Sequence, residues 1–207
     1  MIKIIEGGLL GSNTYVVYNE TGKTAMIVDC GCRTDGALDF VNKAGLTVKY
    51  IVLTHGHFDH AEYTCEYVSA FPDAEIICHK DELKVLLDPS ANLSTFVSEG
   101  KAYRFPYKTV EDGDEITLSA EGKGNGLTFK VIHSPGHTPG SICLLCESEG
   151  VMLTGDTLFK GGYGRTDFMY GSSLLLRESL HRLLSLDGNI KFYAGHGEPS
   201  TIFNERY

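Results

Sequence analysis

The sequence predicts an α/β sandwich, with two β-sheets face to face and helices outside them. Three observations carry this prediction. Strand-like and helix-like segments alternate in two runs, roughly residues 1–87 and 115–207. The strand segments are short and rich in β-branched and aromatic residues. No low-complexity linker or obvious repeat separates the runs, so each reads as a sheet covered by helices. Packing two such halves sheet to sheet buries both faces of each.

The elements follow in order. Asn13–Asn19 and Thr24–Asp29 are strands, with Glu20-Thr21-Gly22-Lys23 as the turn between them. A helix starts with Thr34 as its N-cap, carries Leu38, Phe40 and Val41, and ends near Gly45. Val48–Leu53 is a short apolar strand. His60–Ala70 has helical spacing and stops at Phe71-Pro72. Glu75–Cys78 is a strand, and Asp81–Leu87 a helix stopped by Pro89. Residues 88–113 read as irregular, with Pro89, Gly100, Pro106 and Gly113 around the aromatic Tyr103, Phe105 and Tyr107. This long segment is expected to pack onto the core. Strands follow at Glu115–Ser119, Leu127–His133, Ser141–Cys146 and Val151–Thr154. Gly171–Leu186 is an amphipathic helix through Leu175, Leu176, Leu180, Leu183 and Leu184. Lys191–Ala194 is the last strand.

Composition narrows the function. At roughly 100–200 residues per domain, 207 residues make one domain spanning 1–207. A net charge of −9 argues against a nucleic-acid partner. No segment approaches the roughly 20 apolar residues of a membrane span, so no membrane partner is expected. The first residues lack the pattern of an export signal, which makes a cytoplasmic location the expectation. In that setting the six cysteines read as reduced thiols or metal ligands rather than disulfides. A small-molecule substrate is the remaining partner class. The sequence leaves the oligomeric state open.

The chemistry concentrates in histidine, of which the chain has eight. Thr54-His55-Gly56-His57-Phe58-Asp59-His60 follows the strand Val48–Leu53 directly, at the strand's carboxyl end. Open α/β sheets build their sites there. A match to H-x-H-x-D-H arises by chance in roughly one chain in a thousand of this composition. His55 and His57, two apart in an extended segment, point the same way and can share one ion. Asp59 and His60 are adjacent and diverge, which predicts two ions rather than one.

Three later loops each add one candidate after a strand. His137 lies in Ser134-Pro135-Gly136-His137-Thr138-Pro139-Gly140, Asp156 in Thr154-Gly155-Asp156-Thr157, and His196 in Gly195-His196-Gly197. All seven side chains can project from one edge of the sheets. Imidazole and carboxylate without cysteine suit zinc, iron or manganese. Seven ligands exceed one tetrahedral site and match two sites sharing a carboxylate. Such a pair of ions can activate water and polarise a carbonyl or phosphoryl oxygen.

Together, the stretches HGHFDH, SPGHTPGS, TGDTLF and GHG resemble the metallo-β-lactamase-fold hydrolases. Gly155-Asp156-Thr157-Leu158-Phe159 through Gly164-Arg165-Thr166-Asp167-Phe168 is similar to the glyoxalase II-like (hydroxyacylglutathione hydrolase-like) branch, which also includes persulfide dioxygenases. The similarity runs from about Gly11 to Arg206. It implies a four-layer αββα sandwich with one metal site of His55, His57 and His137 and a second of Asp59, His60 and His196. Asp156 would bridge them, and the two divalent ions would be zinc first, with iron or manganese as alternatives. The implied reaction is hydrolysis of a thioester such as S-lactoylglutathione by a metal-bridging hydroxide, with Asp59 as both ligand and catalytic orienting group. Arg165 falls in the branch's basic substrate-contacting stretch, with a salt bridge to Asp167 as the structural alternative. Asp29 resembles a strand-end turn residue of the family, which implies a hydrogen bond to a ligand histidine, with a plain turn as the alternative. The chain ends before the helical extension with which glyoxalase II proteins hold glutathione, so no such extension is expected.

Two other readings compete. One is a mononuclear iron persulfide dioxygenase using His55, His137 and Asp156. The other is a non-catalytic metal-binding module, as in diiron flavoproteins. His196 within Gly-His-Gly and a complete second site favour the hydrolase. Cys30 and Cys32 flank Gly31 near the expected site, with packing favoured over a redox or ligand role. Cys143 and Cys146, three apart on a strand, face opposite sides and read as core. His79, His133 and His181 match no ligand position and read as structural or surface residues.

Overall fold

The computed structural model describes residues 1–119 and 126–206. The first sheet contains β1 (Ile2–Ile5), β2 (Thr14–Asn19), β3 (Thr24–Val28), β4 (Thr47–Val52), β5 (Glu75–His79) and β6 (Tyr107–Val110), side by side in chain order. β1, β2 and β3 are antiparallel neighbours, and β3 through β6 are parallel. The second sheet also has six strands but is mostly antiparallel. β7 (Glu115–Leu118), β8 (Leu127–His133), β9 (Ile142–Cys146) and β10 (Val151–Gly155) form an antiparallel meander. The chain then makes a small hairpin, β11 (Leu158–Phe159) and β12 (Gly162–Tyr163). β13 (Lys191–Ala194) returns parallel to β10, and β14 (Ser200–Thr201) closes that edge.

Among the described residues the α-helices are α1 (Asp35–Ala44), α2 (Phe58–Ala61), α3 (Thr64–Ala70), α4 (Leu83–Leu86) and α5 (Ser173–Leu184). α1 stops because Gly45 takes the left-handed conformation (φ 62°), and its N–H closes the last turn on Asn42 and Val41 carbonyls. α5 starts where the Ser172 hydroxyl accepts a hydrogen bond from the Leu175 amide.

Three apolar clusters define four layers. Strand alternation sends Tyr15, Val17, Met26 and Val28 to one face of the first sheet, where they meet Phe129, Val131, Ile142 and Leu144 of the second. The opposite face of the first sheet packs Val16, Ile27 and Ile51 against Ala37 and Val41 of α1 and Tyr67 of α3. The outer face of the second sheet packs Cys143, Leu145, Met152 and Phe192 against Leu183 of α5. The order helix, sheet, sheet, helix is the predicted αββα sandwich.

Several boundaries differ from the sequence reading. β1 and β6 are strands where no strand was expected. Both are edge strands with few buried residues, so their apolar signal is weak. The helix expected over 60–70 is two helices, α2 and α3, and the first turn begins at Phe58. The helix expected over 81–87 is a 3-10 turn, Lys80–Glu82, leading into α4. Thr34 precedes α1 but makes no side-chain cap. Among the described residues, no helix is long and apolar enough to cross a membrane.

Candidate metal centre

The seven candidate side chains lie on four loops at one edge of the sandwich. His55 and His57 follow β4, and Asp59 and His60 lie on α2. His137 follows β8, Asp156 follows β10 and His196 follows β13. β8, β10 and β13 run the same way, so their carboxyl ends meet at that edge. The two sheets are stitched together there. The Asn13 amide donates to the Gly195 carbonyl at 2.7 Å and the Ile142 amide to the Thr54 carbonyl at 2.9 Å.

The side chains form overlapping groups able to hold metal ions: His55, His57 and His137; His55, His60 and Asp156; and Asp59, His60 and His196. Within each group the ligand atoms lie within 4.8 Å of one another. Asp156 stands between the outer groups. Its Oδ1 is 3.4 Å from His60 Nε2, and its Oδ2 is 3.6 Å from both His137 Nε2 and His196 Nε2. Asp59 and His60 do not diverge as their adjacency in an extended chain predicts. The helical turn of α2 brings His60 Nε2 to 3.7 Å from Asp59 Oδ2.

Unmet polar atoms test whether a metal fits. Among the described residues, five buried side-chain polar atoms have no hydrogen-bond partner. Four are His55 Nε2, His57 Nε2, His137 Nε2 and Asp156 Oδ1. Leaving such atoms dry costs about 1–3 kcal/mol each, and a cation supplies the missing partner. The donor set therefore fits metal ions.

Hydrogen bonds to the far ring nitrogens aim these histidines. His137 Nδ1 donates to the Arg165 carbonyl at 2.7 Å, leaving Nε2 free to bind. His60 Nδ1 donates to Asp29 Oδ2 at 2.9 Å. Asp29 also accepts from the Thr54 amide and hydroxyl, each at 2.8 Å. The Thr54 hydroxyl in turn lies 3.2 Å from His55 Nδ1.

Electrostatics separate the groups. Burial holds His55 and His57 well below the ordinary imidazole range, and neighbouring imidazoles add to it. Burial also opposes a charge on His60, but Asp156, Asp59 and Asp29 outweigh it and lift His60 to about 10. Burial would raise Asp59, yet His60 and His196 hold it down at about 2. His196 is shifted upward, since burial is outweighed by its hydrogen bond to Asp59 and the charge of Asp156. Without metal, His60 and His196 are thus shifted toward the protonated form, and His55 and His57 toward the neutral one.

Arg165 is exposed and pairs in a fork with Asp167, at 2.9 and 2.7 Å. Its guanidinium lies 4.3 Å over the Phe168 ring, which packs on edge against His57 at 5.7 Å. All six cysteines are free thiols, and none joins a metal-capable group among the described residues. Cys30 is buried, its amide donating to the His60 carbonyl at 2.7 Å, and burial pushes its thiol up. Cys143 and Cys146 face different layers, as their spacing predicts.

His79, Asp81 and His133 form one more group of nearby ligand atoms. The His79 and His133 rings are stacked at 3.9 Å and 11°. An imidazole binds an ion in its own ring plane, so stacked rings cannot share one in this arrangement. Sequence reasoning missed Asn13 and Tyr15, which brace the His196 loop. Asn13 Nδ2 donates to the carbonyls of Ala194 and Gly197, at 3.2 and 3.0 Å. The Tyr15 hydroxyl donates to the Ala194 carbonyl. Their signal was two polar side chains at the start of a buried strand.

An αββα sandwich with a histidine–carboxylate cluster at one edge defines a class, the metallo-hydrolases of this fold. The chain belongs to the metallo-beta-lactamase superfamily, whose profile matches residues 7–196. It is 31% identical over 210 residues to the hydroxyacylglutathione hydrolase GloC of Haemophilus influenzae, covering 99% of this chain and 94% of that one. The crystal structure of BLEG-1 B3 metallo-beta-lactamase superposes with a TM-score of 0.86 at 32% identity, covering 99% and 96% of the two chains. That of TTHA1623 in a di-iron-bound form gives 0.81 at 30% identity, covering 98% and 96%.

Proposed function

We propose that this protein is a two-metal hydrolase that cleaves a thioester of the S-lactoylglutathione type. In this reading His55, His57 and His137 would hold one ion and Asp59, His60 and His196 the other, with Asp156 between the two groups. The observation that carries it is the set of buried, partnerless polar atoms in one cluster, Nε2 of His55, His57 and His137 and Oδ1 of Asp156. Similarity to GloC supports the thioester, and the di-iron form of TTHA1623 supports two ions. Zinc is the first expectation, with iron or manganese as alternatives.

When bound, such ions lower the pKa of water to near neutrality and polarise the scissile carbonyl. The chain's residues do the rest. Asp59, ionised at neutral pH, accepts a hydrogen bond from the attacking water and orients it. Asp29 and the Arg165 carbonyl fix the ring nitrogens of His60 and His137. The Arg165 side chain contacts a substrate carboxylate. The departing sulfur needs no dedicated acid, because a thiol of pKa about 8.5 leaves as thiolate.

Similarity to BLEG-1 favours a second substrate, a β-lactam, for the same site. Rates on S-lactoylglutathione and on a β-lactam, with oxygen uptake on glutathione persulfide, separate the readings. Thioester cleavage that is lost in Asp59→Ala is expected. Oxygen uptake with one iron per chain contradicts the proposal, and so does β-lactam cleavage without thioester cleavage.

A further inference from the structure

Glu82 belongs to no motif, yet it is fully buried in the 3-10 turn after β5. A buried carboxylate costs several kcal/mol unless its oxygens are satisfied. Three uncharged donors satisfy this one. Oε1 accepts from the Gly56 amide at 2.7 Å. Oε2 accepts from the Thr138 hydroxyl at 2.8 Å and the Gly140 amide at 2.7 Å.

The donors come from opposite sheets. Gly56 separates His55 from His57 in the loop after β4. Thr138 and Gly140 follow His137 in the loop after β8. One carboxylate thus ties together the two backbones that carry all three imidazoles of the first group. The glycines let it approach. A Cβ on Gly140 would collide with the Glu82 backbone nitrogen. One on Gly56 would stand 2.9 Å from Leu86 and 3.1 Å from Glu82 Oε1. The His137 loop has a second brace, since His133 Nε2 donates to the Pro139 carbonyl at 2.9 Å.

We propose that Glu82 is a positioning residue for the His55, His57 and His137 group. It sets the separation of the two loops and thereby that group's affinity for its ion. The inference rests on the metal-site reading above. It differs from a general stabilising role in being selective. In the second group, His60 is held by Asp29 and the His196 loop by Asn13.

Glu82→Gln tests it. The amide oxygen can keep the two donors at Oε2, but its NH2 then faces the Gly56 N–H, donor against donor. The His55–His57 loop is released while the His137 loop stays. Metal-free protein is titrated with Co²⁺, read by visible absorption and by competition with a chelator, and His57→Ala identifies the signal of the first site. Glu82→Gln is expected to weaken the first site on the order of 10–100-fold, with the second within a few-fold of wild type. Thr138→Val removes one of the three donors and is expected to weaken the same site by a smaller factor. Equal affinities in wild type and Glu82→Gln overturn the proposal, even if thermal stability falls. So does equal weakening at both sites, or a Thr138→Val protein that binds both ions as wild type does. Wild-type protein that binds no Co²⁺ refutes the metal-site reading itself, a different result from a Glu82→Gln protein that binds like wild type.

Discussion

His60 Nδ1 lies 2.9 Å from Asp29 Oδ2, with both side chains buried. The bond fixes which ring nitrogen faces the candidate metal centre. Asp29 also adopts a left-handed backbone (φ 61°), a conformation Asn tolerates and most residues do not. Asp29→Asn therefore keeps the turn while removing the charge that orients His60. Affinity of the second site for Co²⁺ is expected to fall on the order of 10–100-fold. Competition with a chelator measures it, and an unchanged affinity contradicts the role of Asp29.

Metal binding should release protons. The folded pKa of His60, about 10, lies above its ordinary 6.5. Its contribution to the metal-free fold is thus complete below the ordinary value and lost as pH rises through about 10. Asp59, at about 2, contributes above its ordinary 3.8 and loses that as pH falls through about 2. His55 and His57 are already neutral at pH 7. Filling both sites at pH 7 is expected to expel protons, at least the one held by His60. Calorimetry in buffers of different ionisation enthalpy counts them, and zero release contradicts the assignment.

Asn13→Ala removes the donor to the Ala194 and Gly197 carbonyls around His196. Losing the bond to the buried Ala194 carbonyl costs about 1–3 kcal/mol, so the midpoint of thermal unfolding falls. Affinity at the second site should fall with it, while the first site holds. Co²⁺ titration of the variant distinguishes this from a uniform loss.

Arg165→Ala tests substrate contact apart from chemistry. A guanidinium that grips a remote carboxylate contributes to binding in ground and transition states alike. KM is expected to rise on the order of 10-fold with kcat little changed. Unchanged kinetics would leave Arg165 only its salt bridge to Asp167.

The candidate cluster was largely legible in the sequence. His55, His57, Asp59 and His60 crowd into six residues, and the single candidates His137, Asp156 and His196 each follow a strand. The central strands were legible because their buried faces select β-branched residues. Ile2–Ile5 and Tyr107–Val110 were not, because an edge strand buries little. Glu82 and Asn13 looked like ordinary polar residues. Their partners stand up to 58 and 184 positions away, and no local pattern encodes such pairings. The convergence of Asp59 with His60 was misread because one helical turn replaces the extended chain.

Stepwise metal loading tests the two-metal site most directly. Metal-free protein is given increasing equivalents of Zn²⁺, and S-lactoylglutathione cleavage is followed beside bound metal. Activity should reach its maximum at about two ions per chain, with little at one. Full activity at one ion per chain, or none at two, would contradict a two-metal thioesterase.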